Sequence, residues 1–512
     1  MKTVTLNRFD GGVADPKEPS TNMCTSVRNF YPQKTKLTPY RDTVTETLDT
    51  GTLTDQKLTC VARLNYNPTS YTTDTTQIMA LGQVGSADTN PKFYQKSTIN
   101  SVTASFQGAT NGEDTTGVVI ANSLIGYKGK FYCLKNTSNS TYLVEYNRLT
   151  TTLTEIGVVG ASPTSINNVD GVVPQMIVHP KDNKLYIASG STVKYYDGTT
   201  LSSAVTFSTE HNITAMTHQG ANIVLGMTSK SGLGSVLGLW SGSTTSAELV
   251  DVVDFGSDTL IVLENLNDVV VGVSALSIGG SLDVGIQNVV TVRGYSGGQS
   301  FVIKKIESVG SLGSRVYPFK AHKNSTFYFP MSVYLNGTRV HQIWAIYKNE
   351  SGLWCVNPDR KVSNDTELTA LTITGFSMIG DYFWTAFSDG QFRRTLDTAT
   401  YTTTSIYETL INPSMEIGDR TKRKELKSIS VAKAHNTGNI GQLVLKYSVD
   451  GGQNWATIGT LASAGGNVLK ATNESTAKPF EQAYDYIFRI ESTLGAEIVE
   501  LKYSYEVVNE LI

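Results

Sequence analysis

Gln175-Met176-Ile177-Val178-His179, Lys184-Leu185-Tyr186-Ile187-Ala188 and Val193-Lys194-Tyr195-Tyr196-Asp197-Gly198 follow one another, separated only by Pro180-Lys181-Asp182-Asn183 and Ser189-Gly190-Ser191-Thr192. Each run is rich in β-branched and aromatic residues, which fit a pleated surface. The Asp, Asn and Gly between them supply the side-chain caps and the positive φ of tight turns. The stretch therefore reads as a meander of antiparallel strands. One unit earlier, Leu124-Ile125-Gly126-Tyr127-Lys128-Gly129-Lys130-Phe131-Tyr132-Cys133 leads in the same way to Thr141-Tyr142-Leu143-Val144-Glu145-Tyr146. The pattern recurs about every 35–50 residues, the period of four-stranded blades repeated radially.

About seven such units fall between residues 58 and 411. The first holds Thr59–Leu64 and Gln77–Leu81, and the fourth Ile223–Gly226 and Val236–Trp240. The fifth holds Asp268–Gly272, Val289–Arg293 and Phe301–Ile303. The sixth holds Thr326–Phe329 and Gln342–Tyr347, and the seventh Asp381–Ala386 and Asp389–Phe392. The expected fold is all-β, a β-propeller of about seven blades, because each sheet has two apolar faces that neighbours must cover.

Composition agrees. At 512 residues the chain exceeds what one core supports, and 17% charged residues with 45 glycines suit short strands and many turns. Residues 1–57 read as an N-terminal arm of short strands, which either wraps a neighbouring surface or completes the last blade. After Asn412-Pro413 and the charged Gly418-Asp419-Arg420-Thr421-Lys422-Arg423-Lys424-Glu425 the strands lengthen, and residues 412–512 are expected to form a separate β-sandwich. The run Lys422-Arg423-Lys424 reads as a solvated linker, or as a contact for phosphates or an acidic partner.

A net charge of −3 argues against a general nucleic-acid binder, while allowing a passage through which DNA slides without adhering. No apolar stretch has the length of a membrane-spanning helix, and the first residues turn polar too early for a signal peptide. Cys24, Cys60, Cys133 and Cys355 lie far apart and are expected to be free thiols of a protein made in a reducing cytoplasm.

Candidate chemistry is sparse. The histidines at 179, 211, 218, 322, 341 and 435 are isolated in sequence and form no metal motif. No nucleophile elbow or phosphate loop occurs, and Gly294-Tyr295-Ser296-Gly297-Gly298 reads as a hairpin turn. Ser448-Val449-Asp450-Gly451-Gly452-Gln453-Asn454-Trp455 resembles the Asp-box of sialidases and related propellers, with Asn454 in place of Thr. It reads as a turn device, the carboxylate capping amides and Trp455 burying beneath the hairpin. The expectation is no catalytic, cofactor-binding or metal-ligating residue, hence no enzyme and no cofactor.

Phe9-Asp10-Gly11-Gly12, Arg28-Asn29-Phe30 and Leu37-Thr38-Pro39-Tyr40-Arg41 together resemble the opening of propeller proteins in tailed-bacteriophage tails. These include the nozzle and packaged-DNA-stabilisation proteins of short-tailed phages. The ending, a charged stretch followed by a strand and Tyr447-Ser448-Val449-Asp450-Gly451-Gly452, is similar too. The resemblance implies a virion tail protein without catalysis, made in the host cytoplasm. It implies a homo-oligomeric ring, usually hexameric, that extends the portal channel and retains packaged DNA. Portal, adaptor, fibre and other tail proteins are its implied partners, with transient DNA contact. The competing expectation is a glycan-binding or sialidase-like propeller that recognises a host surface.

Overall fold

The computed structural model describes residues 2–6, 12–13, 23–24, 26–28, 30–32, 37–39, 43–45, 57–64, 78–83, 90–96, 106–120, 122–161, 174–207, 210–230, 234–243, 246–278, 286–307, 315–335, 338–348, 352–362, 371–380, 382–388, 390–395, 407–411, 422–434, 442–450, 453–462, 467–473, 480–484, 486–493 and 496–508. Every regular element among them is a β-strand. The chain forms two compact units. One comprises Thr43–His341 and Asp365–Asp397, the other Met1–Asp42, Gln342–Asn364 and Thr398–Ile512. These limits differ from the segments 1–57, 58–411 and 412–512 expected from sequence.

In the first unit antiparallel sheets follow one another along the chain. Sheet A is Lys57–Arg63, Ile78–Gln83, Pro91–Gln95 and Gln107–Glu113. Sheet B is Val118–Val119, Ile125–Tyr127, Lys130–Asn136, Ser140–Asn147 and Thr152–Ala161. Sheet C is Gln175–His179, Lys184–Ser189, Thr192–Tyr196 and Val205–Thr206. Sheet D is His211–Gln219, Asn222–Ser229, Ser235–Trp240 and Leu249–Asp254. Sheet E is Thr259–Leu266, Val269–Ile278, Ile286–Ser296 and Gln299–Glu307. Sheet F has Arg315–Val316, Ala321–Lys323 and Thr326–Leu335, followed by Thr338–Lys348, whose course leaves the unit after His341. Sheet G is Ile373–Ile379, Tyr382–Phe387 and Phe392–Thr395, completed by Thr43–Thr45 from the start of the chain.

Burial grades across each sheet. Second strands such as Asn222–Ser229 and Tyr382–Phe387 are buried along almost their whole length, so they read as continuous apolar runs. The fourth strand Leu249–Asp254 alternates half-buried and exposed, as a strand with one wet face should. First strands carry a repeated irregularity. The register slips at Thr59 in sheet A, Thr214 in D, Ile261 in E and Thr374 in G. One extra residue of this kind bends the strand and sharpens its twist.

Each sheet packs on the next. Phe93 of A stacks on Tyr146 of B with centroids 5.0 Å apart. Tyr127 and Tyr132 of B meet Tyr196 of C, and Tyr186 of C meets Trp240 of D. Val224 and Leu237 of D share a core with Leu260 and Leu263 of E, while Tyr328 of F lies against Phe383 of G. The last sheet also packs on the first. Trp384 and Phe392 of G form one buried cluster with Leu58, Val61, Tyr94 and Phe106, and the Val61 amide donates to Ser377 Oγ at 3.0 Å. First strands approach so closely that side chains are excluded at two points. A Cβ on Gly375 would stand 1.8 Å from the Thr59 carbonyl oxygen, and one on Gly126 2.4 Å from that of Arg63.

The other unit contains two larger sheets. One holds Lys424–Lys433 between Val468–Thr472 and Ile498–Val507, and is extended by Lys2–Leu6, Leu37–Pro39 and Phe30–Pro32. The second runs Ser26–Arg28, Tyr407–Ile411, Ile487–Thr493, Gln442–Ser448, Ala456–Leu461. Leu426, Ile429, Val431, Leu443, Leu445, Phe488, Ile490, Leu501 and Tyr503 form one buried cluster from both sheets. Here the N-terminal residues pair with C-terminal strands, Lys2 opposite Tyr505 and Leu6 opposite Leu501. Strands this short gain stability only within a larger sheet.

Of the charged run, Lys422 and Arg423 are exposed, while Lys424 is placed differently from the expected solvated linker. Lys424 opens a strand, is 1% exposed and donates from Nζ to the Tyr484 carbonyl at 2.7 Å. Its long apolar stem covers the core while the ammonium reaches a carbonyl, and Arg423 lies over the Tyr484 ring. Residues 412–421, which hold Asn412-Pro413 and the start of the charged run, lie outside the described residues.

Candidate functional site

In the first unit, the first strands of sheets A, B, C, F and G converge on a cavity of about 450 Å³. Its wall is supplied by residues on or beside those strands, polar Arg63, Asn122, Ser123, Gln175, Lys320, His322 and Ser377 among apolar Val61, Met176, Phe319 and Phe376. Arg63, Lys320 and His322 are the basic groups among its described lining residues, and none of those residues is a carboxylate.

Beside it runs a chain of polar side chains, each from the last three residues of a strand that leads into a hairpin turn. His179 comes from sheet C, His218 from D, Glu264 from E and His322 from F. His179 Nδ1 lies 2.9 Å from Asp182 Oδ1, and Tyr186 donates to Asp182 Oδ2 at 2.8 Å. Burial opposes ionisation of Asp182, but these bonds, with Lys184 nearby, outweigh it and hold the carboxyl below its ordinary range. The Tyr186 hydroxyl is pushed up by burial and by that same carboxylate.

Glu264 is similar. Burial alone would raise it, but Lys320 Nζ at 3.0 Å and the Asn265 amide at 3.0 Å keep it below the usual glutamate value. Thr217 Oγ1 donates to Glu264 Oε1 at 3.1 Å. Lys320 spends its other protons on the carbonyls of Met216 at 2.9 Å and Leu263 at 2.6 Å. The His218 imidazolium is disfavoured by burial and by His179, Lys320 and His322, only partly offset by Glu264. His218 and His179 meet edge to face, centroids 5.9 Å apart.

The isolated appearance of the histidines in sequence is thus corrected for this pair. His341 is a structural residue, 0% exposed, bonded to Ser332 Oγ at 2.7 Å and set against Phe387. His435 lies outside the described residues. Cys60, Cys133 and Cys355 are free and buried. Burial pushes the Cys60 thiol up to about 11, so it is protonated and unreactive at neutral pH. The side chain of Cys24 is outside the described residues.

In the Asp-box-like turn Asp450 accepts from Ser448 Oγ at 2.6 Å, from the Asn454 amide at 3.0 Å and from Asn454 Nδ2 at 2.7 Å. Those bonds depress its carboxyl to about 2. Asn454 therefore replaces the Thr of the motif with a donor of its own. Trp455 departs from expectation, being half-buried, with the Arg489 guanidinium 5.4 Å from its ring. The cation covers a face that the expected burial assigned to the core.

No protein-family model matches this chain, and no curated protein sequence matches it. Among solved structures it is similar to a glycoside hydrolase at 11% identity and TM-score 0.30, covering 87% of this chain and 97% of that one. It is similar to BamB from Moraxella catarrhalis at 11% identity and TM-score 0.38, covering 67% and 84%. A third is the β-propeller domain of the Trilobed protease from Pyrococcus furiosus, at 7% identity and TM-score 0.39, covering 68% and 95%. At these identities and scores none of them carries an activity to this chain.

Proposed function

We propose that this chain is a non-enzymatic structural subunit of a bacteriophage tail, a nozzle-like component of a ring around the DNA channel that docks other tail proteins. In this reading sheets A to G are the blades of a seven-bladed propeller, and the two larger sheets form a β-sandwich that gathers both chain ends. The observation that carries it is the return contact, Trp384 and Phe392 of sheet G packed with Leu58 and Val61 of sheet A, with Thr43–Thr45 added to sheet G. Such a closure gives a rigid block, and the tail role itself rests on the resemblance of the N-terminal and Tyr447–Gly452 motifs.

The lining of the cavity supports the non-enzymatic part. Glycoside hydrolysis needs two carboxyl groups across the scissile bond. Among the described residues the lining offers Arg63, Lys320 and His322, while Glu264 and Asp182 nearby are engaged by Lys320, Thr217, His179 and Tyr186. A second reading, a glycan-binding propeller, is favoured by the polar wall of Asn122, Ser123, Gln175 and Ser377, which suits hydroxyl groups.

Negative-stain imaging of the purified protein and of virions separates the two. Rings with a central channel, in a position between portal and tail tip, support the tail reading. Monomers that cleave or bind sialosides overturn it. Deletion of residues 1–45 is a poor substitute, since it strips Lys2–Leu6 from its pairing with Ile498–Val507 and damages the subunit itself.

A further inference from the structure

We propose that the cavity among the first strands of sheets A, B, C, F and G binds a small hydroxylated carboxylate, whether or not the chain serves in a tail. Its volume of about 450 Å³ falls within the range of about 300–1,000 Å³ for pockets that enclose small molecules. What the wall offers an occupant follows from which of its polar atoms are already bonded.

Several of its side-chain acceptors are taken by main-chain amides. Asn122 Oδ1 accepts from the Phe376 amide at 2.8 Å, and Ser377 Oγ from the Val61 amide at 3.0 Å. Ser123 is engaged both ways, its Oγ accepting from the Leu134 amide at 3.0 Å and donating to the Ile120 carbonyl at 2.7 Å. Lys320 is committed to Glu264 and to two carbonyls. Donors remain. With Oδ1 held by an amide, half-buried Asn122 presents Nδ2 and its two protons. The Ser377 hydroxyl, also half-buried, accepts one amide and keeps its own proton to give.

Charge points the same way. Arg63 closes the first strand of sheet A, is exposed, and carries a permanent cation whose fork of donors matches a carboxylate. His322, exposed on sheet F, is a further donor. Among the described lining residues there is no carboxylate to repel an anion. Such a wall suits an occupant rich in acceptors, with a carboxylate for Arg63 and hydroxyl oxygens for Asn122 and Ser377. Apolar Val61, Met176 and Phe376 are there to cover its C–H faces.

The test is calorimetric titration of the full chain with D-glucuronate and with D-glucose, the neutral counterpart of the same ring. It is repeated on Asn122→Asp, with circular dichroism to verify folding. Asn122→Asp keeps an oxygen for the Phe376 amide and tolerates the φ of +60°, but it exchanges the Nδ2 donor for a negative charge. The wild type should take up one glucuronate per chain, about tenfold or more tightly than glucose, the scale of one hydrogen bond to a charged group. Asn122→Asp should lose that uptake. If Asn122→Asp fails to fold, Arg63→Gln, at an exposed position, is the second variant and should weaken glucuronate binding about tenfold or more. L-Tartrate separates the two sources of this chemistry: binding tighter than glucuronate assigns an acyclic hydroxy acid, and weaker binding a sugar acid. Three results would overturn the proposal: no uptake of either carboxylate by the wild type, equal affinity for glucose and glucuronate, or uptake unchanged in the folded variant. None of them bears on the ring images, which decide the tail reading separately.

Discussion

Gly375→Ala isolates the close approach of sheets G and A. The added methyl carbon would stand 1.8 Å from the main-chain oxygen of Thr59 and 2.9 Å from its carbonyl carbon. Real Cβ atoms do not approach closer than 3.0 Å, so one first strand must retreat by more than about 1 Å. Neither strand is free to do so. Both carry a bulge at this point, and Trp384, Phe392, Leu58 and Val61 are packed behind them. Overpacking costs roughly 1–3 kcal/mol, and a clash between main chains belongs at about 3 kcal/mol or above. Gly220→Ala is the control, with φ at +56° and nothing within 4 Å, so its cost is only that of a left-handed alanine, about 1 kcal/mol. Urea unfolding followed by tryptophan fluorescence measures both, with Trp384 reporting from within the cluster. A Gly375→Ala protein no less stable than the Gly220→Ala protein would refute the close approach of sheets G and A. If Gly375→Ala does not fold, Ser377→Ala still tests the contact. It strands the Val61 amide and should cost roughly 1–3 kcal/mol.

The Asp450 carboxyl, depressed to about 2 from 3.8, contributes stability that is present above pH 3.8 and lost as the pH falls through about 2. The difference in melting temperature between wild type and Asp450→Ala should therefore shrink on acidification across that window, and a constant difference would remove the carboxylate from the account. His218 is depressed below 6.5 by burial and by His179, Lys320 and His322 against the opposing Glu264, so its neutral form favours the folded state. Stability attributable to it is present above pH 6.5 and declines as the pH drops below that value, a dependence that His218→Phe should abolish in thermal melts. Lys424→Glu sets a carboxylate against the Tyr484 carbonyl in a buried position and should lower stability by about 3 kcal/mol or more, whereas Lys424→Met, which keeps the apolar stem, should cost less than half of that. Equal costs would mean that the residue is solvated after all.

Strand runs with strong β character were legible from sequence. Gln175–His179, Lys184–Ser189 and Asn222–Ser229 appear where β-branched and aromatic residues cluster, since those residues fit a pleated, packed surface. Edge strands were not. Gln107–Glu113, sequence QGATNGE, has a turn composition and is a strand only because Pro91–Gln95 offers it a partner. Thr43–Thr45 is three residues long, and its partner is Phe392–Thr395, far along the chain. Local propensity carries no information on such a pairing. Lys424 of the charged run misled for a related reason, because Lys counts as solvated in composition while its stem covers a core, whereas Lys422 and Arg423 are exposed.

The polar site was hidden by the same separation, yet its positions follow a rule that sequence does contain. His179, His218, Glu264 and His322 all stand within the last three residues of a strand that leads into a turn marked by Asn, Asp or Gly. The positive-φ residues of those turns, Asn183, Gly220, Asn267 and Asn324, follow the four side chains by four, two, three and two residues, so the turns bring them to similar strand ends without setting them at one repeat position. Packing of successive sheets turns strand ends far apart in sequence into spatial neighbours, so isolation along the chain is poor evidence of isolation in space. What remains beyond sequence is the detail that gives the row its chemistry. Lys320 neutralises Glu264 while Asp182 engages His179 Nδ1, and His179 Nε2 and His218 Nδ1 are left buried without a hydrogen-bond partner.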